Sequence, residues 1–110
     1  MNIDDWKSQI KRGTLEYCVL LLFSQDDRYG YEIMNELGKY AILASKESTT
    51  YPLLRRLEKD NYLRSYWKET TEGLPPRKYY SLTKAGEEYV RQISIEWEYL
   101  ITAIDSLKGV

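Results

Sequence analysis

The chain contains no histidine and only one cysteine, Cys18, among its 110 residues. Without histidine it lacks the commonest general base and the commonest metal ligand of proteins. A single cysteine cannot form an intrachain disulfide, and its position in an apolar run predicts a buried, unreactive thiol. We also find no glycine-rich phosphate loop, nucleophile elbow or set of ligand-spaced cysteines. These absences argue against an enzyme, a metal site and a bound cofactor.

Long apolar runs are missing as well. The longest extends from Tyr17 to Phe23, far short of the roughly 20 residues that a membrane-spanning helix needs. The first residues include Asp4 and Asp5, where a secretory signal peptide would carry positive charge. We therefore expect a cytoplasmic protein with no membrane partner. Its length is that of a single domain.

Neither sign of charge dominates, since 16 basic and 17 acidic side chains leave a net charge of −1. The distribution along the chain is nevertheless uneven. Residues 46–82 contain 8 basic and 5 acidic side chains, net +3, whereas residues 1–45 and residues 83–110 are each net −2. Because phosphate contacts depend on local charge, the middle segment can bind DNA although the whole chain is slightly acidic.

The first half of the chain has the apolar spacing of two helices. We predict the first helix over residues 5–24, a turn over residues 25–28 and a second helix over residues 29–40, with Ala41 continuing its apolar face. Within the first helix, Gly13 costs about 1 kcal/mol relative to alanine, which favours a break or a close packing contact there.

A third helix is predicted over residues 49–59, with Ser48 and Thr49 as N-caps and Pro52 in the first turn, where proline is tolerated. At 100° per residue, one arc of this helix should face the core: Thr50, Leu53, Leu54 and Leu57. The opposite arc holds Ser48, Tyr51, Pro52, Arg55, Arg56 and Lys59. A β-hairpin should follow, with strands over residues 62–68 and 77–82 around a loop rich in glycine and proline.

A short helix followed by a basic hairpin is the layout of a winged helix-turn-helix. In that arrangement the third helix enters the DNA major groove, and the hairpin contacts the backbone or the minor groove. We therefore predict these DNA-binding residues: Ser48, Thr49, Tyr51, Arg55, Arg56, Lys59, Arg77 and Lys78. Two alternatives stay open, because a polar helix face is usually solvated surface and a charged strand can simply protect a sheet edge.

The last helix should begin after the capping residue Thr83 and end near Lys108. Its apolar residues are spaced 3 and 4 apart, the repeat of a helix–helix seam: Val90, Ile93, Trp97, Leu100, Ile104 and Leu107. Packing on the domain's own core is the competing explanation. We expect a mainly α fold with a small β-hairpin (α+β), in which residues 1–82 form the winged helix-turn-helix and residues 83–110 a dimerisation helix.

Four segments, residues 12–17, 29–33, 49–60 and 76–86, resemble the PadR family of bacterial transcriptional regulators. The resemblance implies a homodimer that binds a pseudo-palindromic operator in double-stranded DNA and represses transcription until an effector releases it. The short C-terminal region is similar to the compact branch of the family. The chain departs from the family pattern at Ser48, Thr50 and Asn61. The departures at Ser48 and Thr50 bear on operator preference. At Asn61 the family usually has glycine, and asparagine tolerates the same left-handed turn.

In the multidrug-binding members of that branch, a tryptophan of the last helix lines a hydrophobic pore at the dimer interface, and Trp97 matches it. Two indoles across a twofold axis could sandwich a small aromatic or cationic effector. The further candidate residues are Ile93, Ile101, Ser8, Leu15 and Val19. The alternatives are that Trp97 only fills the seam, that the winged helix is a protein-interaction module, or that the protein sequesters drugs without binding DNA.

Overall fold

The structure, a computed structural model, describes residues 2–109. Its elements are, in order, α1 (Ile3–Gln25), β1 (Arg28–Tyr29), α2 (Gly30–Gly38), α3 (Glu47–Lys59), β2 (Leu63–Lys68), β3 (Arg77–Leu82) and α4 (Lys84–Leu107). The three strands form one antiparallel sheet in the order β1-β3-β2. Helices predominate, which confirms the predicted α+β class. Among the described residues, no helix is long and apolar enough to cross a membrane.

Helix α1 begins earlier than the sequence predicted because a capping box fixes its first turn. The Asn2 side chain accepts a hydrogen bond from the Asp5 N–H at 2.9 Å, and the Asp5 carboxylate accepts one from the Asn2 N–H. The helix then runs unbroken through Gly13, where an added Cβ would meet nothing within 4 Å. The expected break or close contact at Gly13 is therefore wrong.

The segment after α1 contains a short strand where only a turn was expected. In β1, Arg28 pairs with Tyr80 and Tyr29 pairs with Tyr79 of β3. Two residues are too few to show the period-two pattern of a strand. Helix α2 then ends at Gly38, since glycine is a poor helix former, so Ala41 lies exposed in the following loop. Its prediction as a core-facing helical residue is wrong.

Helix α3 begins at Glu47, so Ser48 and Thr49 lie inside its first turn and do not cap it. The N-cap is Lys46, which provides no side-chain cap hydrogen bond. Pro52 consequently lies in the second turn, where it removes the N–H that would bond to the Ser48 carbonyl. The expectations for these caps and for Pro52 are corrected accordingly. The predicted core arc is confirmed, because Thr50, Leu53, Leu54 and Leu57 are all buried.

The core joins α1, α2, α3 and the sheet, and α4 enters it only through its first turns. Its buried apolar residues are Leu15, Val19, Leu20, Phe23, Ile33, Leu37, Leu53, Leu54, Leu57, Leu63, Tyr80 and Val90. Asn61, with a φ of 66°, makes the left-handed turn from α3 into β2, as expected of asparagine in place of glycine.

A close contact fixes the start of α4 against this turn. Thr83 caps the helix, as predicted: its hydroxyl accepts a hydrogen bond from the Gly86 N–H at 2.9 Å and donates one to the Asn61 carbonyl at 2.6 Å. A Cβ on Gly86 would lie 2.2 Å from the Tyr62 carbonyl oxygen, so only glycine allows this approach. By contrast, Leu107 at the far end of α4 is 86% exposed.

Candidate nucleic-acid interface

Four exposed residues form a strip along the middle of the outer face of α3: Ser48, Pro52, Arg55 and Lys59. We refer to them as the reading strip. Their spacing of three or four residues brings them onto one line of the helix surface. Within residues 2–109, neither Arg55 nor Lys59 has a carboxylate oxygen within 4.0 Å. Both charges are therefore available to an external anion.

Two of the predicted DNA-binding residues, Thr49 and Arg56, lie on the flank of α3 that faces α1. The guanidinium of Arg56 is 3.5 Å from the Glu16 carboxylate. Both residues line an open groove of about 660 Å³ between α1 and α3, together with Ser8, Lys11, Arg12, Leu15, Glu16, Pro52 and Leu53. Arg55 and Arg56 thus point about 100° apart, and the structure does not bring Arg56 onto the reading strip.

Tyr51 lies on the opposite flank of α3, where its ring packs against the start of α2. A Cβ on Gly30 would be 2.3 Å from Tyr51 Cε1 and 3.0 Å from its hydroxyl oxygen. Burial, with the charge of Glu47 as a smaller cause, raises the pKa of the Tyr51 hydroxyl. The ring therefore joins the two helices of the helix-turn-helix and stays neutral.

The two predicted cations of the wing, Arg77 and Lys78, point to opposite faces of the hairpin. Neighbouring residues of a strand alternate in this way. On the α3-facing side, Lys78 Nζ is 3.5 Å from the Glu58 carboxylate, which also accepts a hydrogen bond from the Ser65 hydroxyl. On the outer side, the Arg77 guanidinium lies 4.6 Å from the centre of the Tyr29 ring. The wing thus presents one of these cations on each face.

Stacked tyrosines support the outer face of the wing. The ring centres of Tyr29 and Tyr79 are 5.3 Å apart, and the Tyr79 ring stacks on that of Tyr66 with 5.8 Å between their centres. The Tyr66 hydroxyl donates a hydrogen bond of 2.7 Å to Asp27, which raises the pKa of that tyrosine. The ammonium of Lys68 lies 5.1 Å from the Tyr79 ring. The contact of Tyr29 with Tyr79 holds β3 against β1, a strand that sequence reasoning missed because it is so short.

The comparison with known families decides the class of protein. The model of the transcriptional regulator PadR-like family matches residues 19–92, which include the helix-turn-helix, the hairpin and the start of α4. This chain belongs to the PadR-like family. A PadR-like transcription factor of Bacteroides fragilis is 41% identical over 94% of this chain and 98% of its own, with a TM-score of 0.75.

Other relatives agree with this membership. A PadR-like transcriptional regulator of Bacillus cereus is 34% identical over 90% of this chain and 95% of its own, with a TM-score of 0.81. An uncharacterized protein of Lysinibacillus sphaericus is 36% identical over 90% of this chain and 92% of its own. The PadR-like family is one of transcriptional regulators, not of enzymes. Residues 2–109 contain no group of side chains suited to hold a metal ion.

The residues predicted to bind an effector occupy different environments in this PadR-like chain. Trp97 is half-buried, with its ring 5.7 Å from that of Tyr17, whose hydroxyl shares a hydrogen bond of 2.8 Å with Ser94. Of the other candidates, Leu15 and Val19 are buried in the core, Ile93 packs against it, and Ser8 and Ile101 are exposed. The structure therefore brings Trp97 next to an aromatic residue of α1 that sequence reasoning had not selected.

The residues of the predicted α4 seam also differ in how far they are buried. Val90 is buried in the chain's own core and Ile93 packs on it, whereas Leu100, Ile104 and Leu107 are 49%, 40% and 86% exposed. The start of α1 also presents apolar side chains, because Ile3, Trp6 and Ile10 are 62%, 47% and 38% exposed. Clustered exposed apolar residues are typical of an interaction surface.

Proposed function

We propose that this PadR-like protein is a homodimeric transcriptional repressor that binds a pseudo-palindromic operator and is released by a small aromatic or cationic effector. The observation that carries the proposal is the reading strip, with its two unpaired cations, beside a basic wing. Both lie in the segment of net charge +3, on a chain whose ends are acidic.

On DNA, α3 would enter the major groove, which is about 12 Å wide and admits a helix. Arg55, near the centre of the reading strip, is suited to a paired hydrogen bond with a guanine edge. Lys59 at the end of the helix and the wing cations Arg77 and Lys78 would contact phosphates, which position the protein. A phosphate near Lys78 would compete with Glu58 for its ammonium group.

The apolar half of α4 supports dimerisation. Leu100, Ile104 and Leu107 follow one side of the helix, and burying each side chain is worth about 1.5–3 kcal/mol when burial is complete. A second copy offers the same surface about a twofold axis. Such a dimer would present two reading strips to half-sites about 34 Å apart, one helical turn of DNA.

The effector site is proposed between α1 and α4, where Trp97 faces Tyr17. Rings that pair at tilted angles provide a surface for a flat compound, and their electron-rich faces attract cations. In the dimer, Trp97 of the second copy would close the site. A ligand there would change the angle of α4 and thereby the distance between the two reading strips.

The DNA-binding part of the proposal is tested by charge reversal. Arg55→Glu/Lys78→Glu is compared with Lys39→Glu/Lys108→Glu, which changes the net charge equally at two lysines that pair with carboxylates of the helices they follow. Affinity for the promoter of the protein's own gene should fall at least tenfold, about 1.4 kcal/mol, in the first variant only. Sedimentation should show an unchanged oligomeric state in both.

Equal losses in the two variants would mean that only net charge matters and would refute the proposed surface. If the wild type binds no operator but still captures protein partners, the winged helix is an interaction module.

The effector is tested by tryptophan quenching with a planar cationic dye, which Trp97→Ala should abolish. Quenching by a protein that binds no operator would instead indicate drug sequestration.

A further inference from the structure

Trp67 in β2 is the most exposed tryptophan of the chain, at 69% of its surface, compared with 47% for Trp6 and a half-buried Trp97. Its indole covers almost none of the domain's own core. Its ring is among the largest apolar surfaces that a side chain can offer, and tryptophan is enriched at interfaces. It also lies outside the set of residues predicted to bind DNA.

The direction of Trp67 follows from the alternation of β2. Leu63 is buried, Ser65 donates its hydrogen bond to Glu58 of α3, and Trp67 is the next residue on that same face. Two residues advance a strand by about 6.8 Å. The indole therefore projects from the α3-facing side of the hairpin, one step beyond Ser65 towards the hairpin's free end.

The last two rungs of the hairpin carry three cations, one on the face of Trp67 and two on the outer face. Trp67 pairs with Lys78, and the final rung pairs Lys68 with Arg77. Glu58 neutralises part of this charge, since its carboxylate is 3.5 Å from Lys78 Nζ. A flat apolar ring beside one cation, with two more on the opposite face of the same hairpin, suits a duplex better than an apolar protein surface. DNA offers phosphates at both edges of a groove whose walls are sugar rings.

We propose that Trp67 is a DNA-contacting residue of the wing and that its indole packs against deoxyribose in the minor groove next to the major groove entered by α3. This inference rests on the proposed DNA binding and adds an apolar contact to it. Lys68, Arg77 and Lys78 contact the flanking phosphates and orient the hairpin. Because indole–sugar packing releases no counterions, its contribution does not depend on salt, unlike that of the three cations.

The test compares Trp67→Ala, Trp67→Phe and Lys78→Ala for operator affinity across a salt series. Trp67→Ala should weaken binding about tenfold at every salt concentration and leave the slope of log affinity against log salt unchanged. Trp67→Phe should retain most of the affinity because it keeps an aromatic ring. Lys78→Ala should make that slope shallower by about 0.9 per subunit.

Labelling with 5-fluorotryptophan gives an independent measurement by ¹⁹F NMR, in which the resonance missing from Trp67→Phe belongs to Trp67. That resonance should shift on addition of operator DNA. A wild type that binds no duplex refutes the proposed function. A wild type that binds, with equal affinity in Trp67→Ala and an unshifted resonance, refutes this inference alone. Circular dichroism of each variant confirms that it is folded.

Discussion

Replacement of Thr50 with valine is expected to stabilise the protein. Thr50 is 1% exposed in the core-facing arc of α3, and its hydroxyl has no hydrogen-bond partner within residues 2–109. A buried hydroxyl without a partner costs about 1–3 kcal/mol. Valine keeps the branched shape and replaces that hydroxyl with a methyl group, so we expect the free energy of unfolding to rise by about 1–2 kcal/mol.

The assay is urea unfolding at one fixed protein concentration, because the stability of an oligomer depends on concentration. Thr49→Val is the matched control, because it makes the same change one residue earlier in α3, where the side chain is exposed. The change in helix propensity from threonine to valine is then the same in both variants and cancels in the comparison. The midpoint of Thr50→Val should rise well above that of Thr49→Val without a change in slope. A Thr50→Val variant that is no more stable than the control, or less stable, would refute the reasoning.

Three further predictions concern the interface and the thiol. Gly30→Ala should displace the Tyr51 ring and weaken operator binding severalfold in a mobility-shift assay, while the circular dichroism spectrum stays that of the wild type. Glu58→Gln should free Lys78 and raise DNA affinity severalfold at low salt; lower affinity would contradict the ion pair's proposed role. Burial raises the pKa of the Cys18 thiol, so stability should be complete below the thiol's ordinary pKa and decline as the pH rises past it. Thiol-specific alkylation should accordingly be slower in the folded protein than in urea.

The sequence predicted those parts of the fold that have a strong local pattern. The strand Arg77–Leu82 and the core arc of α3 agree residue by residue with the structure, because both are long enough for their periods to be seen. Thr83 was recognisable as a cap from its chemistry. The predicted start of α3 was wrong because Lys46 gives no side-chain cap signal, and the hydroxyl residues two and three positions later looked like caps.

The candidate interface was predictable as a set of residue types but not as an arrangement. Arg55 and Arg56 are adjacent in sequence, yet the second pairs with Glu16 of α1, a contact that depends on how two helices meet. The pairing of Lys78 with Glu58 likewise requires the hairpin to fold back on α3. Trp67 was not predicted to bind DNA, because a single tryptophan in an alternating strand does not show which face of the strand is buried.

The central claim, that α3 and the wing bind DNA through exposed cations, is tested most directly by the salt dependence of operator binding by the wild-type protein. Affinity for the promoter of its own gene should fall linearly in a plot of log affinity against log salt. With Lys59, Arg77 and Lys78 contacting phosphates from each of two subunits, the slope should be about −5 at roughly −0.9 for each phosphate contact. A flat dependence, or no binding at low salt, would contradict the account.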